Sequence, residues 1–551
     1  MNTRINIDDL REKLATESET PRFWRSLEEA ADTDEFRLML KDEFPAIAKV
    51  QSYVDRREFL ALLSASLALA GLNGCTTTRP EKIVPYVEQP EEILPGKPLY
   101  FATALPLGGY GFGVLVESHM GRPTKVEGNP EHPASLGATD AFAQASILGL
   151  YDPDRSQVIK NTGRITTWDA FVTTMVTELD NLRVKKGEGL RFLTETVTSP
   201  TQLDQIQRIL ERFPLARWHR YDPLRDNSPP NVRFHLDSAD VVVSLDADFL
   251  MHGPGHVRYS KDFARRRTPT NGRQMNRLYV LESTPTITGA TADHRVAVRS
   301  SDVLTAALSI AARVMPNSPQ PTAKSALADS WLNALAKDLR DHSGTSLVIA
   351  GECQPAEVHR VARELNAALG NVGKTVEYNE LPEWEVGDHV LSLKELTDDM
   401  KNKLVDVIFV MGGNPAYTAP ADLEFSKHYA NVRVRTHLAS YEDETSALSH
   451  WHIPESHYME SWGDIRAFDG TTTIQQPLIE PLYATKSVYE LLSAVLGDST
   501  KSSYEIVQQY WQREYRGKEF EKWWRKSVHD GVVPETGAPR YRSGTAAGRP
   551  A

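Results

Sequence analysis

The chain has 551 residues, a quarter of them charged, with a formal net charge of -12 at pH 7. That length allows several domains with large apolar cores, and the acidic balance excludes a nucleic-acid binder that works through a basic surface. Only two cysteines are present, Cys75 and Cys353, so neither a disulfide framework nor a four-thiolate iron–sulfur cluster supplied by this chain is possible.

Residues 1–54 read as a helical N-terminal extension, with Phe23, Trp24 and Leu27 at helical spacing and Pro45 breaking the pattern. Residues 55–75 follow the order of a bacterial export signal: Arg56 and Arg57, an apolar run from Phe59 to Leu72, then Gly74 and Cys75. The run is shorter than the roughly twenty residues that span a bilayer. An Ala/Leu run also suits a buried core helix, but twin arginines on one side and Gly-Cys on the other favour a signal. In that reading Cys75 becomes the acylated first residue of the mature protein, fixed to the outer, periplasmic face of the inner membrane. Residues 76–99 then form an extended, proline-rich tether.

Beyond the tether, short apolar runs alternate with helical periods. Strands are expected at Asp240–Leu245, Leu278–Leu281, Ser346–Ala350 and Val405–Val410, and helices at Thr201–Phe213 and Ala356–Leu369, the latter stopped by Gly370. This alternation predicts an α/β fold with parallel sheets flanked by helices. A further helix, Tyr504–Arg516, carries Ile506, Val507, Tyr510 and Trp511 on one side. Trp462, Trp511, Trp523 and Trp524 are expected to be docking or core groups.

Five stretches carry residue types that could bear chemistry. The glycines at 108, 109, 111 and 113 precede a strand instead of opening a helix, so they do not make a dinucleotide fingerprint. Gly412, Gly413 and Asn414 follow an expected strand, where glycines allow close approach of backbone to a ligand; they are the candidates for cofactor binding, against a plain tight turn. Cys353 is expected to be a buried, inert thiol. His450 and His452, with Glu455, His457 and Glu460, resemble a metal cluster but lack a third ligand at standard spacing, so no metal site is assigned. Arg265, Arg266 and Arg267 are expected to be solvated surface. No catalytic residue emerges.

The segments GFGVLVE (Gly111–Glu117), Gly121-Arg122-Pro123, KVEGNPEHP (Lys125–Pro133) and Tyr151–Arg155 resemble the N-terminal domain of molybdopterin oxidoreductases. In that family a C-x2-C-x3-C-x27-C set holds a [4Fe-4S] cluster, and the resemblance places those positions on Leu105, Gly108, Phe112 and Asp140, none of them a thiol. The resemblance therefore implies a degenerate iron–sulfur-like domain at 100–160 and molybdopterin-oxidoreductase-like α/β domains at 161–500. C-terminal helices at 501–536 and a flexible tail at 537–551 complete the chain. FWRSLEEA, the internal RREFL signal, EKIVPYVEQPEEILPGKPLYFATA, RLYVLESTPTITGATADHR and ESWGDIRAFDGTTTIQQPLIEPL narrow it to the molybdopterin-like subunit of alternative complex III.

That likeness implies a non-catalytic, lipid-anchored scaffold in a respiratory quinol-oxidising membrane complex. Its partners would be a ferredoxin-like iron–sulfur subunit, a quinol-binding membrane subunit and haem c subunits. It implies no cofactor in this chain, molybdopterin included. The alternative is an active molybdopterin-dependent oxidoreductase without the cluster, using the Gly412–Pro415 loop. The family's cysteine-rich ferredoxin domain has no counterpart before Ala551, so the sequence is expected to be a split-gene subunit or a fragment.

Overall fold

The computed structural model describes residues 94–537, apart from 95, 224–231, 269–274, 318–320, 322 and 379–387. The extension at 1–54, the signal with Arg56, Arg57 and Cys75, nearly all of the tether and the tail lie outside the described residues. No described helix is long and apolar enough to cross a membrane.

The described chain opens with an antiparallel meander of β1 (Leu99–Leu107), β2 (Tyr110–His119) and β3 (Arg122–Gly128). Gly108 and Gly109, at φ +56° and +79°, make the β1–β2 turn. Strand β2 starts earlier than expected, so Gly111 and Gly113 lie within it. A side chain at Gly113 would meet the buried His132 ring at 2.3 Å, which is why glycine stands there. Helix α1 (Ala141–Tyr151) follows, its N-cap Asp140 accepting from the Ala143 amide at 2.7 Å.

A large sheet then begins. Strands β4 (Lys160–Asn161) and β5 (Arg164–Ile165) form its border, and α2 (Trp168–Val184) leads into β6 (Leu190–Thr194), α3 (Pro200–Arg212) and β7 (Arg217–Arg220). Helix α3 starts where the sequence demands, at a Ser199 cap with proline in the first turn. The chain next leaves this sheet to build another: β8 (Val232–Phe234), β9 (Val241–Leu245), α4 (His256–Arg267), β10 (Arg277–Glu282), α5 (Ile287–Ala290), β11 (His294–Ala297), α6 (Val303–Val314), α7 (Asp329–Asp341), β12 (Ser346–Ala350), α8 (Ala356–Ala368) and β13 (Val376–Tyr378). It returns through α9 (His389–Lys401) to β14 (Val407–Met411), α10 (Pro415–Thr418), α11 (Phe425–Tyr429), β15 (Val434–Ala439), α12 (Glu444–Leu448) and β16 (Trp451–Pro454). A hairpin of β17 (Gly463–Arg466) and β18 (Thr472–Gln475) precedes α13 (Val488–Val495), α14 (Ser503–Glu514) and α15 (Phe520–Asp530).

The seven-stranded sheet has the order β5-β4-β16-β15-β14-β6-β7, and β7, β6, β14, β15 and β16 run parallel. Chain direction across it reverses between β6 and β14. The four-stranded sheet, β11-β10-β9-β12, is wholly parallel and reverses between β9 and β12. Both faces of each are covered, so the strands are continuous apolar runs. In β14, Val407, Phe409 and Met411 pack with α2, α3 and α13, while Ile408 and Val410 pack with α9 and α11. Helices α13 and α14 each open on a capping box, Ser487 with Glu490 and Ser502 with Glu505.

The expected strands and helices are present, with ends displaced by one or two residues. Trp511 and Trp524 are buried core groups of the C-terminal helices, and Trp462 and Trp523 pack half-buried against them with Tyr504, Tyr510 and Phe520. The Trp511 indole also donates to the buried Asp464 at 2.9 Å, tying α14 to β17.

Candidate functional site

Open parallel sheets take ligands at the carboxyl ends of the strands, where the strand order reverses. In the larger sheet that place lies between Glu195, the residue after β6, and Gly412-Gly413, the residues after β14. The register pairs Thr194 with Met411, so the two turns sit side by side. Gly412 and Gly413 are left-handed, at φ +72° and +66°. A side-chain carbon on Gly412 would lie 3.2 Å from Glu195 Oε2, and one on Gly413 would lie 3.2 Å from Glu195 Cγ. Backbone conformation therefore calls for glycine at both positions, and a side chain at either would also crowd the glutamate lying across the turn. The space left is about 40 Å³, lined by Thr194, Glu195, Tyr221, Gly412, Gly413 and Asn414 among others.

The Asn414 side chain points elsewhere. Its amide donates to Glu444 at 2.6 Å, and its carbonyl accepts from the Thr445 hydroxyl at 2.8 Å, which docks the start of α12. All three candidate binding residues line the crevice, but the Asn414 amide group is already engaged by Glu444 and Thr445.

The crevice is acidic. Although Glu195 keeps solvent access, the protein crowded around its carboxyl and then the Asp222 charge raise its pKa, while the Gly413 amide opposes the rise. Glu455, the residue after β16, is half-buried; burial first and Glu195 second push its carboxyl up to about 7.

Behind the glycine turn runs a chain of buried side chains. His437 Nε2 lies 3.0 Å from the Gly413 carbonyl and His437 Nδ1 lies 2.8 Å from Ser446 Oγ. Ser446 Oγ is also 3.0 Å from His452 Nδ1, and His452 Nε2 is 2.7 Å from Ser156 Oγ. Burial lowers the pKa of both rings, His452 to about 4, so both are neutral. A carbonyl only accepts, which makes His437 Nε2 a donor and its Nδ1 an acceptor. The Ser446 hydroxyl must then donate to His437, so His452 Nδ1 donates to Ser446, and Ser156 donates to His452 Nε2. This assignment satisfies every link at its shortest contact, the Tyr441 carbonyl standing farther from Ser446 Oγ at 3.4 Å, and the chain ends on the Gly413–Asn414 peptide.

This network, invisible as such in the sequence, accounts for His452. His450 Nδ1 accepts from the Arg435 amide at 3.2 Å, and Glu460 makes a buried ion pair with Arg155 at 2.6 Å. Among the described residues no group of three or more His, Cys, Asp or Glu side chains is arranged to hold a metal ion.

The second reversal point is sealed. A side-chain carbon at Gly351 would stand 1.9 Å from the Asp246 carbonyl oxygen, and the Asp246 carboxylate accepts from Gln354 at 2.8 Å and the Ser283 amide at 2.8 Å. A larger cavity of about 550 Å³ opens at the amino ends of β9, β10 and β12, the wrong ends for a ligand site in this fold. Two of its cations are paired within the protein, Arg266 with Asp240 and Arg277 with Asp338.

Two expectations are overturned here. Cys353, expected to be buried, is exposed, because the turn after β12 carries it outward. The basic triplet is not a solvated face: Arg266 and Arg267 are largely covered and pair with Asp240 and Asp293, and Arg265 alone is about half exposed.

The positions named from the resemblance converge. Leu105 and Phe112 face each other across the β1–β2 ladder, and both belong to one buried cluster. The Phe112 ring lies 5.7 Å from the His256 ring at the start of α4. His256 Nε2 meets Asp140 Oδ2 at 2.8 Å, and its Nδ1 meets the Gly253 carbonyl at 2.7 Å. Protein side chains fill the space between the meander, α1 and α4. His256 was missed from sequence because nothing near it marks a partner 116 residues away.

No protein-family model matches the chain. The menaquinone reductase molybdopterin-binding-like subunit of Nitratidesulfovibrio vulgaris is 24% identical over 458 residues, covering 72% of this chain and 65% of that protein. The chain thus spans slightly under two thirds of that relative's length. Among solved structures, acetylene hydratase from Pelobacter acetylenicus matches with a TM-score of 0.55 and 13% identity, over 77% of this chain and 73% of that one. With its two parallel sheets flanked by helices, the chain has a molybdopterin-oxidoreductase-like α/β fold.

Proposed function

We propose that this chain is a non-catalytic scaffold subunit of a respiratory quinol-oxidising membrane complex of the alternative complex III type. It is exported through the Arg56-Arg57 signal and anchored by acylated Cys75 to the periplasmic face of the inner membrane. Its partners are a ferredoxin-like iron–sulfur subunit, a quinol-binding membrane subunit and haem c subunits, which carry the redox groups.

One observation carries the reading: Phe112 and Asp140 close on His256 where the resemblance would put cluster ligands. The name of the Nitratidesulfovibrio relative, a subunit of a menaquinone reductase, supports a quinone-linked assembly. So does helix α1, which has no charged residue and turns Phe142 (58% exposed) and Leu148 (70% exposed) outward, an apolar face suited to a partner subunit. The alternative, an active molybdopterin-dependent enzyme, is disfavoured by the Gly412-Gly413 turn: a pyrophosphate needs donors and room, and a glutamate lies across both glycines.

Elemental analysis of the subunit separated from its purified complex tests the reading. Iron and molybdenum well below stoichiometric are expected, and either metal held at one atom per chain overturns it. For the anchor, Cys75→Ser is expected to leave the membrane once partners are dissociated. A native chain that retains residues before Cys75 and carries no acyl group overturns that part.

A further inference from the structure

We propose that Glu195 is a built-in anion: its carboxylate occupies the phosphate position of the crevice between β6 and β14 and keeps that crevice closed to phosphate-bearing ligands. The inference rests on the non-catalytic reading above and supplies a reason for it within the fold.

Sites of this kind bind phosphate through backbone N–H groups of a glycine turn at a strand end, where the missing side chains let an anion approach. Here the turn is present and the approach is taken. Glu195 Oε2 stands 3.2 Å from where a side-chain carbon on Gly412 would be, and Glu195 Cγ stands 3.2 Å from where one on Gly413 would be. On the other side of the turn, His437 Nε2 donates to the Gly413 carbonyl at 3.0 Å, which holds the Gly413–Asn414 peptide in place.

The remaining space is about 40 Å³. Small-molecule sites are typically about 300 Å³ or more. The residues lining it besides Glu195 are uncharged: Leu193, Thr194, Tyr221, Asn414, Pro415 and Thr418 are among them. Among the described lining residues no cation waits for a phosphate, and Glu195 supplies the only charge there. The contrast with the second reversal point matters. At Gly351 the obstruction is the Asp246 backbone, which no side-chain change removes. At Gly413 a single side chain closes the site.

The test uses the full-length protein, inorganic pyrophosphate as probe, calorimetry for affinity and the Gly413 amide resonance for location, at matched ionic strength. Wild type is expected to show no binding at Gly413. Glu195→Ala is expected to gain pyrophosphate affinity by about tenfold or more over wild type, with the Gly413 amide shifting. Glu195→Ser, which also removes the bulk, should reproduce that gain if the alanine variant is poorly stable. Glu195→Gln, which keeps the bulk, should bind no better than wild type. The negative Asp222 and Glu455 weaken binding in all four proteins alike, so the comparison cancels them. If neither Ala nor Ser gains affinity, or if they gain it with Gly413 unmoved, the inference falls and the scaffold reading stands. If wild type itself takes pyrophosphate at Gly413, both fall.

Discussion

Asp140 Oδ2 lies 2.8 Å from His256 Nε2, joining the start of α1 to the start of α4 across 116 residues of chain. The other oxygen of the same carboxylate caps α1 through the Ala143 amide at 2.7 Å. A single side chain thus starts a helix and clamps a second one to it. Asp140→Ala loses the cap, worth about 1 kcal/mol, and leaves a buried ring nitrogen unpaired, worth about 1–3 kcal/mol. We expect urea unfolding to show a loss of about 2–4 kcal/mol, with Asp140→Asn costing distinctly less. Equal costs would mean that the carboxylate charge and not its geometry matters.

Arg155 and Glu460 form an ion pair that is 2% and 0% exposed, with the guanidinium contacting both carboxylate oxygens at 3.1 and 2.6 Å. Glu460 also accepts from the His457 and Leu482 amides, at 2.9 and 3.0 Å. Arg155→Met strands a buried carboxylate and should cost about 3–5 kcal/mol in denaturant unfolding. The Arg155→Met/Glu460→Gln double variant should cost less than the single change, since no unpaired charge is left. A double variant worse than the single would show that the pair is a net stabiliser by itself.

Glu455 sets a pH dependence whose sign follows from its raised pKa. The folded state holds the proton up to about 7, against 4.5 for the ordinary group, so between those values the folded chain binds more protons than the unfolded one. Its contribution is complete below pH 4.5 and is lost as pH rises toward 7. With partial solvent screening the loss is about 1–3 kcal/mol. His219, His452 and His457, depressed to about 4 by burial, work in the opposite sense between pH 4 and 6.5. Comparison with Glu455→Gln isolates the carboxyl: stability of wild type relative to that variant should fall from pH 5 to pH 7.5, and a flat difference would refute the assignment.

The serine–histidine chain makes a spectroscopic prediction. Nitrogen-15 NMR should find His437 protonated at Nε2 alone and His452 protonated at Nδ1 alone, because the Gly413 carbonyl fixes the direction of every donor. Ser446→Ala removes the link between the rings and should free His452 to change tautomer while leaving His437 Nε2–H in place. The opposite tautomers in wild type would reverse the chain.

Much of the fold was legible in the sequence because its causes are local. Apolar runs such as Val241–Leu245 and Val407–Met411 need only their own composition to read as buried strands, and Ser199-Pro200 starts α3 by capping chemistry alone. The lack of thiols at Leu105, Gly108, Phe112 and Asp140 is likewise a fact of the sequence. The glycines at 412 and 413 were visible too, though as an open question.

What occupies each place was decided only by the tertiary structure. Asp140 finds His256, Arg155 finds Glu460 305 residues on, and Glu195 meets Gly412 only because β6 and β14 are neighbours in the sheet although the whole second sheet intervenes in the chain. The misjudged residues, Cys353 and the Arg265–Arg267 triplet, failed for the same reason. Exposure and ion pairing belong to distant partners, and composition and periodicity report only on neighbours along the chain. Residue types determined which thiol ligands this chain can supply; strand order determined which side chains meet at Gly412 and Gly413.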